Sequence, residues 1–111
     1  MKLYYATGTC SLSPHIVARE AGITLALERV DLRSSPRVTE TGADYAAINP
    51  NRYVPALQLD DGSVLTEGAA IALYLADLKP DAGLAPPPGT PERHRLQAWL
   101  VFIATELHKM Y

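Results

Sequence analysis

The sequence predicts an α/β fold in which helices cover both faces of a mixed, four-stranded sheet. Short apolar runs and helical segments follow one another in the order β-α-β-α-β-β-α. The first strand, helix and second strand suit a parallel, right-handed crossover. The last two strands flank Asp61-Gly62, a common hairpin turn, and therefore add antiparallel pairing to the sheet.

The first half of the chain supplies two strands and two helices. Residues 1–6 (MKLYYA) predict a strand, and residues 13–22 predict a helix with Ser13 as N-cap, Pro14 in its first position and Gly22 as its stop. The predicted elements that follow are a strand at 25–32, a polar loop at 33–43 and a short helix at 43–49 that ends before Pro50.

The second half supplies a hairpin, a helix, a stiff connector and a long last helix. Residues 54–67 predict the hairpin and residues 67–78 an amphipathic helix. Three consecutive prolines stiffen the segment that follows, and Thr90 and Pro91 suit the start of a helix that runs to Tyr111. Apolar residues occupy much of that helix's circumference, so we expect further helices to pack against it, from a missing segment or from another chain. The alternative is a terminal helix docked with some apolar exposure.

Composition narrows the class of protein. The 111 residues, 48% of them hydrophobic, suit one compact domain, and a net charge of −2 gives no electrostatic reason to expect nucleic acid. We expect no membrane partner, because no apolar run approaches the ~20 residues that span a bilayer. The single cysteine cannot form an internal disulfide, and the N-terminus does not resemble a signal peptide, so the expected location is the cytoplasm.

Cys10 lies where the first strand meets the first helix. A helix N-terminus favours thiolate, so this cysteine is a candidate reactive thiol, with a buried inert cysteine as the alternative. Ser13 stands where a redox dithiol would carry its second cysteine. An oxidised Cys10 would therefore need an external thiol to resolve it.

Two further segments suit recognition of a small peptide. Val54-Pro55 opens a predicted strand and is a candidate cis peptide whose backbone could pair with a peptide-like ligand, although it could also be an ordinary strand-start proline. Thr66, Glu67 and Gly68 lie where the last strand enters a helix, where amides bind a carboxylate and Glu67 can accept from an ammonium. The alternative is that Glu67 only stabilises the helix dipole.

Four separated segments carry a family resemblance: MKLYYATGTCSLSPHIVAREAG, DYAAINPNRYVPALQLDDGSVLTEGAAIALYLAD, LAPPPGTPERHRLQAWL and FIATELHKMY. The sequence resembles bacterial glutathione transferases of the beta, cysteine-containing class over almost its whole length. The resemblance implies a thioredoxin-like glutathione-binding domain at 1–79, a Pro-rich linker at 80–90, and at 91–111 the first helix of a truncated helical domain. It also implies a homodimer when the protein is full length.

The resemblance assigns roles to particular residues. Cys10 would contact the sulfur of glutathione and form a mixed disulfide with it, and His108 would approach that sulfur. Arg37 stands in for a loop lysine that pairs with the glycine carboxylate. The last helix would line the site from its own subunit or from the partner. The implied glutathione-binding residues are Cys10, Arg37, Val54, Pro55, Glu67, Gly68, Thr105, Glu106, Leu107, His108 and Lys109.

The predicted function is glutathione transfer. The protein would stabilise the thiolate of glutathione, its co-substrate, and conjugate it to a small electrophile, with Cys10 and His108 as catalytic residues and no metal. Two alternatives remain, of which the second shares Cys10. The first is a non-catalytic binding module of the same fold, and the second is a glutaredoxin-like monothiol reductase.

Overall fold

A computed structural model describes residues 1–6 and 12–107, with the backbone alone for residues 106 and 107. The strands are β1 (Lys2–Tyr5), β2 (Ala26–Asp31), β3 (Val38–Thr39), β4 (Ala56–Gln58) and β5 (Val64–Thr66). The helices are α1 (Leu12–Glu20), α2 (Tyr45–Ile48), α3 (Gly68–Leu78) and α4 (Pro91–Phe102). A 3₁₀ turn occupies Pro80–Ala82, and a π-helical segment, Ile103–Leu107, continues α4.

The sheet has the order β3-β2-β1-β4-β5. β1 is parallel to β2, and the other pairs are antiparallel, so the predicted parallel pairing of the first two strands and the predicted hairpin are confirmed. The predicted count of four strands is wrong, because Val38 and Thr39 pair with the end of β2 inside the segment predicted as loop. Buried Glu28 helps to hold them, since Thr41 donates to its carboxylate at 2.9 Å and lies 3.0 Å from the Thr39 hydroxyl.

Apolar side chains form one core on each face of the sheet, as the predicted helices on both faces require. Leu3 points to the face covered by α1 and α3, and its neighbour Tyr4 points to the face covered by α2, following the two-residue alternation of a strand. The α1/α3 core contains Leu3, Ala18, Leu57, Ile71 and Leu75. The α2 core contains Tyr4, Ala6, Val30, Tyr45, Val54 and Ala56.

The boundaries of α1 correct one prediction and confirm another. Ser13 is the second residue of the helix and not its N-cap, because α1 already begins at Leu12. Pro14 is tolerated there, since amides in the first turn have no partner within the helix. Gly22 does end the helix, with φ 73° and an Ile23 amide that donates back to the Ala18 carbonyl at 2.8 Å.

The described part of α4 begins as predicted and then changes form. The Thr90 hydroxyl accepts from the Arg93 amide at 3.2 Å, which confirms it as the N-cap. At the other end Thr105 donates to the Val101 carbonyl at 2.8 Å, the group to which its amide would donate in an α-helix, and Ile103–Leu107 is π-helical. Trp99 and Val101 are 63% and 61% exposed. None of the helices described is long and apolar enough to span a bilayer.

Candidate functional site

Strand register brings four predicted site residues to one edge of the sheet. Tyr4 pairs with Ala56, and Ala56 pairs with Thr66, so the end of β1, the start of β4 and the end of β5 lie side by side. We call this the site edge. It comprises Ala6, Val54-Pro55 and Thr66–Gly68. Leu32 follows the end of β2, which is parallel to β1, and lies at the same edge.

The Val54-Pro55 peptide bond is cis, as predicted, and both residues are buried. The carbonyl of Tyr53, just before this bond, accepts from the Tyr45 hydroxyl at 2.8 Å and from the Asn49 side chain at 2.9 Å. Burial raises the pKa of Tyr45 to about 12, which moves ionisation of this hydrogen-bond donor still further above neutral pH. Tyr45 and Asn49 thus fix the backbone that enters the site edge.

Sequence reasoning missed the role of Tyr45 and Asn49. Their spacing of four residues, on the short predicted helix 43–49, was a usable signal, because residues at i and i+4 share a helix face. Asn49 is in fact the C-cap of α2, and its backbone N–H donates to the Tyr45 carbonyl at 2.8 Å. The target of their side chains, a backbone carbonyl, has no signature in the sequence.

Glu67 has an unusual backbone at the junction of β5 and α3. Its φ of 74° lies in the region that non-glycine residues rarely adopt, and such residues cluster at ligand sites. Its carbonyl accepts from the Ile71 amide at 2.9 Å, while its exposed side chain makes no capping hydrogen bond. The side chain therefore does not serve as a helix cap. Gly68, beside it, is the first residue of α3.

Beside the site edge lies an open cavity of about 380 Å³, and two arginines form part of its wall. The Arg37 guanidinium donates to the Arg52 carbonyl, which holds this side chain against the segment that leads to Val54-Pro55. Arg52 has a φ of 63°, and neighbouring Tyr53 is 71% exposed. The cavity is lined by Leu32, Ser34, Ser35, Pro36, Arg37, Asn51, Arg52 and Tyr53.

The remaining predicted residues fall into two groups. Cys10, His108 and Lys109 lie outside the described residues. Thr105 is exposed on the π-helical segment, where its hydroxyl is bonded to its own helix, and Glu106 and Leu107 are described by their backbone alone. The structure therefore brings together Val54, Pro55, Glu67 and Gly68, with Arg37 in the adjoining cavity.

This arrangement coincides with a match to a known protein family. Residues 7–78 match the family model described as glutathione S-transferase, N-terminal domain. The chain belongs to the glutathione S-transferase family. The sheet and the helices on its two faces are thus the thioredoxin-like fold of this family.

Individual relatives agree with the family assignment. The chain is 51% identical to glutathione S-transferase GstA of Escherichia coli O157:H7 over 109 residues, which cover 98% of this chain and 53% of that protein. It is also similar to a beta-class glutathione S-transferase of Sphingomonas chungbukensis, with a TM-score of 0.93, 52% identity, and coverage of 98% of this chain and 53% of the other.

A third relative carries the ligand that the family name implies. A sphingomonad glutathione S-transferase complexed with glutathione has a TM-score of 0.93 and 49% identity, over 98% of this chain and 53% of its own. The chain therefore spans about half the length of the relatives that it matches.

Proposed function

We propose that the protein is a glutathione transferase and that the site edge holds its glutathione. The observation that carries the proposal is the convergence of Val54-Pro55 and Glu67-Gly68 at one edge, in a chain of this family. The glutathione complex of the sphingomonad relative supports the same ligand class. A tripeptide with carboxylates at both ends suits an edge flanked by a helix start and by arginines.

Glutathione would lie along the site edge with its γ-glutamyl end at α3. The Glu67 carboxylate accepts from the ligand's ammonium, and the first amides of α3, from Gly68 onward, bind its α-carboxylate. The backbone of Val54, beside Pro55, contacts the cysteinyl part. Arg37, held at the cavity wall by the Arg52 carbonyl, faces the glycine carboxylate.

Within this proposal, Cys10 and His108 are the residues that act on the ligand's sulfur. A positive helix end and hydrogen-bond donors favour thiolate, the nucleophilic form of the thiol. In conjugation the sulfur lone pair forms a bond to the electrophilic carbon, the thiol proton goes to solvent, and the leaving group departs with its electron pair. With oxidised glutathione, the Cys10 thiolate attacks one sulfur, forms a mixed disulfide and releases the other half as thiolate.

The same proposal covers the whole protein. Residues 1–79 form the glutathione-binding domain, 80–90 the linker, and 91–111 the first helix of a helical domain that supplies the electrophile pocket. Thr105–Lys109 then lines the glutathione site. We further propose that the protein is cytoplasmic and that it forms a homodimer. Light scattering on the whole protein tests the homodimer.

Binding is tested with Glu67→Gln, measured by calorimetric titration with reduced glutathione. Removing one charge-assisted hydrogen bond of about 1.5–3 kcal/mol should weaken binding by about 10- to 150-fold. Glu20→Gln, at the exposed end of α1, is the matched control and should bind as the parent does. Unchanged affinity in Glu67→Gln would contradict the placement of the γ-glutamyl end.

Chemistry is tested separately with Cys10→Ala. Mass spectrometry after exposure to oxidised glutathione should show one glutathione adduct on the parent and none on the variant. Conjugation of a model electrophile distinguishes the alternatives. Glutathione binding without turnover would indicate a binding module, and disulfide reduction that exceeds conjugation would indicate a monothiol reductase.

A further inference from the structure

Arg93 is the buried residue of α4, among the side chains that the structure describes. Its guanidinium forms a two-pronged ion pair with Asp77 of α3, with nitrogen–oxygen distances of 2.8 and 2.6 Å. The same group donates to the Pro86 carbonyl of the linker at 2.9 Å. One side chain thus joins α3, the linker and α4.

The chemistry of this joint favours a role in geometry over one in stability. This ion pair contributes little net stability, because removing the Arg93 charge from water costs free energy and solvent screens Asp77, which is 38% exposed. The planar guanidinium of Arg93 nevertheless pairs with both carboxylate oxygens of Asp77 and so constrains the distance and the angle between the two helices. A lysine ammonium cannot reproduce that constraint. Large apolar side chains of α4, by contrast, are exposed, including Trp99 and Val101.

The orientation of α4 matters most at its far end. The twelve residues from Arg93 to Thr105 span about 18 Å, so a tilt of about 5° at the joint moves Thr105 by about 1.6 Å. An error of about 1 Å in the position of a reacting group can reduce a rate by about 100-fold. Thr105, the first residue of the segment that lines the glutathione site in the function proposed above, lies at that far end.

We propose that Arg93, held by Asp77, is a positioning residue: it sets the angle of α4, and with it the position of the helix end that lines the glutathione site in the proposed function. This inference rests on the proposed transferase function and adds a residue far from the ligand to its machinery. The proposed glutathione contacts of Glu67 and Val54 are made by the sheet and the start of α3, not by α4. The joint therefore affects the reacting sulfur and leaves most of the binding energy unchanged.

The test compares Arg93→Lys and Arg93→Met in the whole protein, including any segment beyond residue 111. Arg93→Lys keeps the charge and loses the fork, whereas Arg93→Met loses both. Both variants should keep the parent's glutathione affinity within about threefold, and both should lose at least about tenfold in kcat. The pKa of the bound thiol, measured from thiolate absorbance against pH, should rise in both. Arg95→Lys is the control, because Arg95 is 71% exposed on the same helix.

Each outcome decides between positioning and plain structure. If Lys at position 93 restores kcat and the thiol pKa, only the charge matters and the proposal is wrong. Parallel losses of affinity, kcat and melting temperature would also overturn it, since they would show general unfolding. If the parent protein itself binds no glutathione, the transferase proposal fails first and this inference fails with it. Failure of the inference alone appears as an active parent with unaltered variants.

Discussion

The α/β part of the molecule and helix α4 are held in place by opposite means. In the α/β part, side chains such as Leu3, Leu57, Ile71 and Leu75 are completely excluded from solvent between the sheet and its helices. In the described part of α4 the buried residue is an arginine, and large apolar residues face outward. Among the residues described, the first region is fixed by apolar burial, and α4 is joined to α3 and the linker by a directional polar contact.

This difference separates stability from geometry. Apolar burial contributes about 25 cal/mol per Å² and is insensitive to angle, so it stabilises the sheet without setting a fine orientation. A two-pronged ion pair contributes less free energy but fixes the angle. The glutathione site as proposed needs both: a rigid sheet edge for the ligand's backbone and an oriented helix for its sulfur.

The largest effect is expected from a cavity in the α1/α3 core. Leu75→Ala should lower the free energy of unfolding by about 2–5 kcal/mol, because Leu75 is fully buried. Leu78→Ala is the matched control on α3: Leu78 is 42% exposed and should cost about 1 kcal/mol or less. Urea unfolding of both variants gives the comparison. Equal losses would show that α3 is not held by its buried face.

A smaller effect is expected where a polar contact fixes the site edge. Tyr45→Phe removes the hydroxyl that donates to the Tyr53 carbonyl and should cost about 1–2 kcal/mol, since Asn49 still donates to that oxygen. Tyr53→Phe, at an exposed ring, should stay within about 0.5 kcal/mol of the parent. Chemical denaturation measures both. A neutral Tyr45→Phe would mean that Asn49 alone is sufficient.

The smallest effect on stability is expected at the α3–α4 joint. The hydrogen bond from Arg93 lowers the pKa of Asp77 below its ordinary 3.8, so the ionised form is favoured in the folded state. The pair therefore stabilises fully above that ordinary value, and the contribution is lost as the pH falls through the lowered pKa. Asp77 is 38% exposed, and solvent screening keeps the contribution small.

Measuring the unfolding free energy of the parent and of a variant as a function of pH isolates the contribution of this ion pair. The difference in unfolding free energy between the parent and Asp77→Asn should be largest near neutral pH and should shrink on acidification to about pH 3. Asp81→Asn, at an exposed carboxylate of the 3₁₀ turn, serves as the control. A parent–Asp77→Asn difference that does not change with pH would show that the ion pair is not its source.

Local signals predicted the elements that local physics decides. Gly22 ends α1 because glycine adopts positive φ at low cost, and Thr90 caps α4 because its hydroxyl reaches an unpaired amide. The Asp61-Gly62 turn joins β4 and β5 as expected: Gly62 has φ 89° and Asp61 accepts from the Ser63 amide at 2.9 Å. Each of these choices depends on a few adjacent residues.

Most of what the sequence missed depends on contacts between separate elements. β3 forms because Val38 and Thr39 pair with the end of β2. The polar sequence of that segment carries no strand pattern that would predict this pairing. The four-residue spacing of Tyr45 and Asn49 placed them on one helix face, but their shared acceptor became visible only when α2 packed beside the strand that follows. Ser13 was misplaced because the helix begins one residue before it, at Leu12.

By itself, the sequence determined the order of the elements, most of their ends and the residues that make a glutathione site plausible. Propensity, capping and alternation act over short stretches of chain, and therefore they can be read in order. The tertiary structure alone decided that Val54-Pro55 and Glu67 share one edge, and that Arg93 joins α4 to α3. Both depend on strand register and helix packing, which bring together residues far apart in the chain.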